Sequence, residues 1–430
     1  MSTSFPTKTF HDVRQSLLER REIALLDVRE EDEFALAHPL FAANLPLARI
    51  ALDAWRRIPR LATEIVVYDD GEGLAPAAAQ ALHQLGYGRV SLLAGGLQGW
   101  REAGGEVFQD VNVPSKAFGE LVDAQRHTPS LSAQEVKALL DANANVVVLD
   151  ARRFDEYQTM NIPGSISVPG AELALRARSL ASDPATRIIV NCAGRTRSII
   201  GTQSLVNAGL PNPVAALRNG TIGWTLEGQA LERGAKRRFG DVAPEQRAQA
   251  AVAARAVADR AGVRRAQSAD LVRFMAESMR STFLLDVRTP EEFAAGHLPG
   301  FRSAPGGQLV QETDVSVPVR GARIVLADDD GVRANMTASW LAQMGWEVWV
   351  LDGVGAAEAA LAQVGARHWI AAEPTLTPEQ SAAASTPGRR YRRPYEGTDN
   401  ARAAMQAYLD WEYGLVAQLA RDGTHGFKVI

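Results

Sequence analysis

The chain has 430 residues, 46% hydrophobic and 22% charged, with 46 basic and 50 acidic side chains and a formal net charge of −4. That length predicts several globular domains, and the slight acidity gives no global argument for a nucleic-acid or membrane partner. No run is long and apolar enough for a transmembrane helix, the first ten residues show no secretory signal, and the single cysteine excludes an internal disulfide and fits a reducing, cytoplasmic setting.

In chain order, Thr9 with Asp12 is a weak helix-start signal. An apolar run, Ala24-Leu25-Leu26, follows and ends in Asp27, with Arg29 two residues on and Glu33-Phe34 beyond. A second apolar run, Ile65 to Tyr68, leads into the acidic loop Asp69-Asp70-Gly71-Glu72-Gly73-Leu74. A helix closing at Gly86, a strand over 90–93 and the pair Gly99-Trp100 complete the series.

The series then recurs. Ser132 with Glu135 forms a capping box, Val147-Val148-Leu149 ends in Asp150 with Arg152 two residues on, and Glu156-Tyr157 precedes the turn Asn161-Ile162-Pro163-Gly164. A third copy has Phe283-Leu284-Leu285 ending in Asp286, then Arg288, Glu292-Phe293 and His297-Leu298-Pro299-Gly300. Asp27 to Asp69, Asp150 to Cys192 and Asp286 to Asp328 each span 42 residues, and a further 17 lead to Gly86, Gly209 and Gly345. A period above one hundred residues marks a repeated whole domain. Alternating strands and helices predict a parallel sheet covered by helices on both faces, with ligands beyond the strand C-termini.

Cys192 stands at that edge, in Ile188-Ile189-Val190-Asn191-Cys192-Ala193-Gly194-Arg195-Thr196-Arg197-Ser198. A lone cysteine is ordinarily a small buried hydrophobe. Here a strand, a short loop and a helix start surround the sulfur with backbone N–H groups, a helix dipole and two arginines, all of which favour the thiolate. Copies one and three have Asp69 and Asp328 at this position. A carboxylate is not such a nucleophile and would repel an anion, so both copies are expected to be inactive and to serve as walls or docking surfaces. Asp328-Asp329-Asp330 lacks the spacing of a calcium loop, and no His/Cys cluster suggests a metal; neither metal nor cofactor is expected.

Between copies two and three, Pro244 to Ala261 predicts a connecting helix. The segment from Thr375 to Pro394, with Arg389-Arg390-Tyr391-Arg392-Arg393, is expected to be solvated or domain-bridging. Asn400 to Leu419 predicts one amphipathic helix with Met405, Tyr408, Leu409, Trp411, Leu415 and Leu419 apolar, packed on the body as a clasp.

Together the strand-end Leu-Asp-x-Arg, the Pro-Gly turn, the loop Cys192-x-Gly194-x-x-Arg197-Ser198 and the later Gly223-Trp224 resemble the rhodanese family of sulfurtransferases. The resemblance implies an inactive domain over 1–112, a catalytic domain over 128–236, a helical linker over 237–262, an inactive domain over 263–372 and an extension over 373–430. It also implies that Cys192 takes sulfane sulfur from a small anionic donor, thiosulfate or a related persulfide, and passes it to cyanide, a thiol or a protein acceptor. Arg197 would orient the loop, and Ala193, Gly194, Arg195, Thr196 and Ser198 would surround the donor. Arg195 is expected to face the incoming donor. Arg152 has two readings: a bidentate hold on the donor's sulfonate, or an ion pair with Glu156. Asp150 is expected to be structural. Relatives acting on phosphate or arsenate separate Cys and Arg by five residues, whereas four separate Cys192 from Arg197. A phosphatase or arsenate reductase is therefore one alternative, and a non-catalytic sulfur sensor or scaffold is another.

Overall fold

The computed structural model describes residues 4–362, 367–375 and 388–430. The first repeat forms one sheet from β1 (Thr7–Lys8), β2 (Ala24–Asp27), β3 (Ala43–Asn44), β4 (Ile65–Tyr68) and β5 (Val90–Leu93), in the order β1-β5-β4-β2-β3. The second repeats this order with β6 (Ser130–Leu131), β7 (Val146–Asp150), β8 (Ile166–Ser167), β9 (Arg187–Asn191) and β10 (Val214–Leu217). The third does so with β11 (Arg264–Ala266), β12 (Thr282–Asp286), β13 (Arg302–Ser303), β14 (Arg323–Ala327) and β15 (Glu347–Leu351). All strand pairs are parallel. Helices cover both faces, so the central strands are apolar along their length rather than alternating. Ala24 to Leu26, Ile65 to Val67 and Ile188 to Val190 are all buried.

The constant 42-residue spacing has a structural cause. Asp27 lies opposite Tyr68, Asp150 opposite Asn191 and Asp286 opposite Ala327, each at the C-terminal end of two paired strands. From these strands the chain departs toward opposite edges of the sheet, which opens a crevice between the loops after them.

A helix that the repeat pattern did not announce, Val113–Arg126, links copies one and two. It begins after Asn112, whose φ is 59°, and buries Val113, Ala117, Phe118 and Val122. The helix Thr196–Asn207 after the cysteine loop and the C-terminal helix pack on it. The predicted connecting helix spans Pro244–Arg260 and packs Ala250, Ala254 and Val257 between copies two and three. The predicted clasp spans Arg402–Asp422 and buries Met405, Tyr408, Leu409, Leu415 and Leu419 at helical spacing; Trp411 is half-buried. Residues 376–387 of the segment before it lie outside the described residues. The basic cluster bridges to copy one: Arg389 pairs with Asp32 and Glu33, and the Tyr391 amide donates to Glu31.

Copies one and three share one apolar core with the helix Val113–Arg126 and the clasp, running from Leu26 and Phe34 through Phe118 to Trp340, Leu415 and Phe427. The copy-two sheet has cores of its own on its two faces, around Val190 and Leu205 and around Ile189 and Trp224. Among the described residues no helix is long and apolar enough to cross a membrane.

Candidate active site

Cys192 begins the loop after β9. Its carbonyl and that of Ala193 are tied down by the amides of Thr221 and Ile222, at 2.9 and 3.0 Å. This closeness requires Gly220, with φ +53°, because a β-carbon there would strike the Cys192 carbonyl. The sulfur is buried, at 2% exposure for the residue. Its S–H donates to Ser198 Oγ at 3.4 Å, and Ser198 donates to the Arg195 carbonyl at 2.8 Å. The amides of Gly194 to Arg197 meet no protein acceptor among the described residues, which leaves a row of donors around the sulfur.

The other copies show what this loop accepts. In copy one the Asp69 carboxylate takes the amides of Gly71 and Ala75, at 3.1 and 2.8 Å. In copy three Asp328 takes those of Gly331 and Ala334, at 3.1 and 2.9 Å. Ala75 and Ala334 stand six residues after the acid, where Ser198 stands after Cys192. The two loops without a cysteine thus enclose a built-in anion where the cysteine loop leaves that place open. The triad Asp328-Asp329-Asp330 is tied to backbone amides and to Arg333.

The three sequence-predicted arginines have different surroundings. Arg197 holds Glu156 with both terminal nitrogens, at 2.7 and 2.8 Å. Burial opposes ionisation of Glu156, but Arg197 with Arg152 and Arg153 brings its carboxyl down to about 2. Arg152 grips Asp150 through Nε and Nη2, at 2.9 and 2.8 Å, and donates to the Met160 carbonyl. Of its two readings, the ion pair with Glu156 is not formed, since Arg152 is held by Asp150 and Arg197 takes that carboxylate. The same clamp recurs as Arg29 on Asp27 and Ala37 and as Arg288 on Asp286 and Gly296. Asp150 is fully buried and also accepts from Asn191 at 2.7 Å.

Arg195 departs from expectation. It lines the cysteine pocket, yet its guanidinium is held by Glu120 at 2.7 and 2.8 Å, Asp123 at 2.9 Å and the Tyr413 hydroxyl at 2.9 Å. It stacks on the Tyr413 ring, 4.1 Å from its centroid. The residue is 6% exposed. It fastens the cysteine loop to the helices on either side because two carboxylates of Val113–Arg126 outcompete solvent for its fork.

The roof of the site comes from distant segments that sequence reasoning did not assign to it. Lys116, Gln311, Tyr395, Tyr408 and Glu412 join residues 192–197 around a cavity of about 20 Å³. Gln311 belongs to copy three, so a repeat without a cysteine walls the cysteine pocket. An adjoining cavity of about 230 Å³ shares Gln311 and Tyr395 and is lined by Arg152, Arg153, Gln308 and Arg393. In this closed surround burial pushes the Cys192 thiol up, outweighing Arg197 and the hydrogen bonds of Ser198. Desolvation here works against the thiolate that Arg197 and the Ser198 hydrogen bonds favour.

The roof had sequence signals. Glu412 falls on the apolar stripe formed by Met405, Tyr408, Leu409, Leu415 and Leu419, a charged residue on a buried face. Val113, Ala117, Phe118 and Val122 carry the helical spacing that places Lys116 and Glu120 on the inner helix.

Three parallel α/β domains in tandem, one with a thiol on an anion-accepting loop and two with that loop closed by aspartate, define a multidomain protein built around a single cysteine. The rhodanese-like domain family matches residues 10–103, 132–227 and 268–354, and the chain belongs to this family, with Cys192 in the second domain. It is similar to the crystal structure of a thiosulfate sulfurtransferase from Pseudomonas aeruginosa, at 56% identity and a TM-score of 0.92, covering 99% of this chain and 100% of that one. Among curated proteins it is 32% identical over 96 residues to an HTH-type transcriptional regulator of Mycobacterium tuberculosis, covering 22% of this chain and 42% of the relative. It is also 37% identical over 70 residues to an uncharacterized 16.5 kDa protein of Synechococcus elongatus, covering 15% and 45%. The chain thus spans less than half the length of these two curated relatives.

Proposed function

We propose that this protein is a thiosulfate sulfurtransferase with Cys192 as its nucleophile. The observation that carries the reading is the open row of amides around a buried thiol, occupied in the two sister loops by carboxylates. The full-length similarity to a thiosulfate sulfurtransferase supports the donor. The Cys192 thiol gives up its proton to solvent, and the thiolate attacks the outer sulfur of thiosulfate. The sulfur–sulfur bond of the donor breaks, sulfite leaves with its electron pair, and a cysteine persulfide forms. Loop amides from Ala193 to Ser198 hold the persulfide anion, and Arg197, oriented by Glu156, adds positive field. Cyanide or a thiolate, free or on a protein, then attacks the terminal sulfur. It leaves as thiocyanate or a persulfide and regenerates the Cys192 thiolate.

Arg152 is proposed as structural, since its clamp on the strand-end aspartate is the same in the two copies without a thiol. Arg195 is proposed to hold the loop in place rather than to touch the donor. The test is intact mass after incubation with thiosulfate under non-reducing conditions. The expected result is the added mass of one sulfur atom, lost in Cys192→Ser and discharged by cyanide. No adduct on the native protein would overturn the reading in favour of a sensor or scaffold.

A further inference from the structure

Glu412 is the one roof residue of the cysteine pocket whose charge opposes the proposed donor. It lies on the clasp helix, is 1% exposed, and faces the loop. Gly194 has no side chain, and Glu412 Oε2 and the Tyr408 ring lie 3.0 and 3.1 Å from where its β-carbon would stand. The two carboxyl oxygens are not equivalent. Oε1 accepts from the Tyr408 hydroxyl at 2.9 Å and lies 3.5 Å from Thr196 Oγ1. Oε2 is buried with no hydrogen-bond partner among the described residues. A buried carboxylate oxygen without a donor is costly, whereas a carboxylic O–H aimed at an anion site is a ready donor.

The surrounding charges leave no cation to neutralise Glu412. On the inner helix, Lys116 is held by Asp110 at 2.8 Å, and Glu120 and Asp123 hold Arg195. On the cysteine loop, Arg197 is held by Glu156. The Cys192 thiol, Tyr395 and Tyr408 are the other titratable groups that face it. An ionised Glu412 would thus add an unbalanced negative charge above a loop meant for an anion.

We infer that Glu412 is a donor-binding and specificity-determining residue: its neutral carboxyl donates a hydrogen bond through Oε2 to the anionic sulfur donor over Gly194 to Arg197, and its ionised form excludes that donor. The inference rests on the sulfur-transfer reading above. Burial, with Glu120 adding to it, pushes the acid up to about 8 against Lys116, Tyr408 and Arg195, so the neutral form prevails at neutral pH.

The test separates binding from thiol ionisation by using Cys192→Ser protein, which cannot react, and measuring the Kd for thiosulfate by calorimetry between pH 6.5 and about 9.5. The expected result is a Kd that is flat at low pH and rises about tenfold per pH unit above the Glu412 range. Adding Glu412→Gln, a neutral donor of equal size, should remove the rise. Adding Tyr408→Phe instead should move the rise to higher pH, because the lost hydrogen bond favoured the ionised form. A Kd with the same pH dependence in the Glu412→Gln protein, or an unshifted one in the Tyr408→Phe protein, would overturn the inference while leaving sulfur transfer intact. Absence of persulfide on the native protein at every pH would overturn the function and this inference with it.

Discussion

Arg29, Arg152 and Arg288 hold Asp27, Asp150 and Asp286 in the same two-pronged way. A bond repeated in the two copies that lack the thiol is a bond of the fold. Arg152→Ala would strand Asp150, fully buried, with Asn191 as its remaining side-chain donor. The expected loss is about 3–5 kcal/mol in urea unfolding, and Arg29→Ala should lose a comparable amount. A wild-type stability for Arg152→Ala would contradict the clamp. Arg197 differs, because its partner is a carboxylate at the pocket. Glu156 ionises at about 2 in the folded protein against 4.5 for the free group. A depressed carboxyl contributes stability above the unfolded value and loses it as pH falls from 4.5 toward about 2. Glu156→Gln should therefore lower Tm at neutral pH, with the difference from the native protein closing across that acid range. Its persulfide formation should also slow, since Arg197 then lacks its orienting partner.

The clasp helix is the element on which site and stability meet. Leu415 is fully buried in the core shared by copies one and three, and Leu415→Ala is expected to cost about 2–5 kcal/mol, read as a shift in the denaturant midpoint. Glu412 acts in the opposite sense to Leu415. Its folded value of about 8 lies above the ordinary 4.5, so the folded state keeps a proton that the unfolded chain releases, and stability falls as pH rises between these values. Glu412→Gln should remove that slope and raise Tm at pH 8 relative to the native protein; an unchanged slope would place the titration elsewhere. The helix itself was legible from the spacing of Met405, Tyr408, Leu409, Leu415 and Leu419, because one face is buried and periodicity records burial. The three sheets were legible because two constant spacings record strand register. The helix Val113–Arg126 was passed over since it belongs to no repeat. Lys116, Gln311 and Glu412 could not be placed at the pocket because tertiary packing brings them to Cys192 across separations of about 75 to 220 residues, which leave no local pattern. Arg195 was misdirected for the same reason: its carboxylate partners lie on the helix that the repeats concealed.

At the scale of the whole molecule, copies one and three with the clasp share one apolar core, while the cysteine-bearing sheet has its own cores. The second domain is joined to this frame by apolar contacts, Leu175 with Val332 and Met336 and Ile222 with Tyr408 and Leu409, and by buried charge. Arg333 of copy three, 1% exposed, donates to Glu172 of copy two at 3.0 Å and also to Glu292 and Asp329. Trp340 of copy three donates to Ser204 of copy two at 2.8 Å, and Arg195 joins the loop to Glu120. A network of this kind contributes orientation more than net stability while whole, yet removal of one member leaves buried charges unmatched. Arg333→Ala leaves Glu172 with Arg176 at 2.9 Å but removes the tie to copy three. Hydrogen exchange should then rise first in the helices Leu173–Leu180 and Arg333–Gln343, which face each other across this junction. The amides of β2 and β4, inside the shared core, should keep native protection, because local opening follows the weakest cooperative unit. Persulfide formation should fall with the loosening, since Gln311 of copy three roofs the Cys192 pocket. Equal loss of protection in all three sheets would instead make the molecule one cooperative unit, with the two domains that lack a cysteine inseparable from the one that bears it.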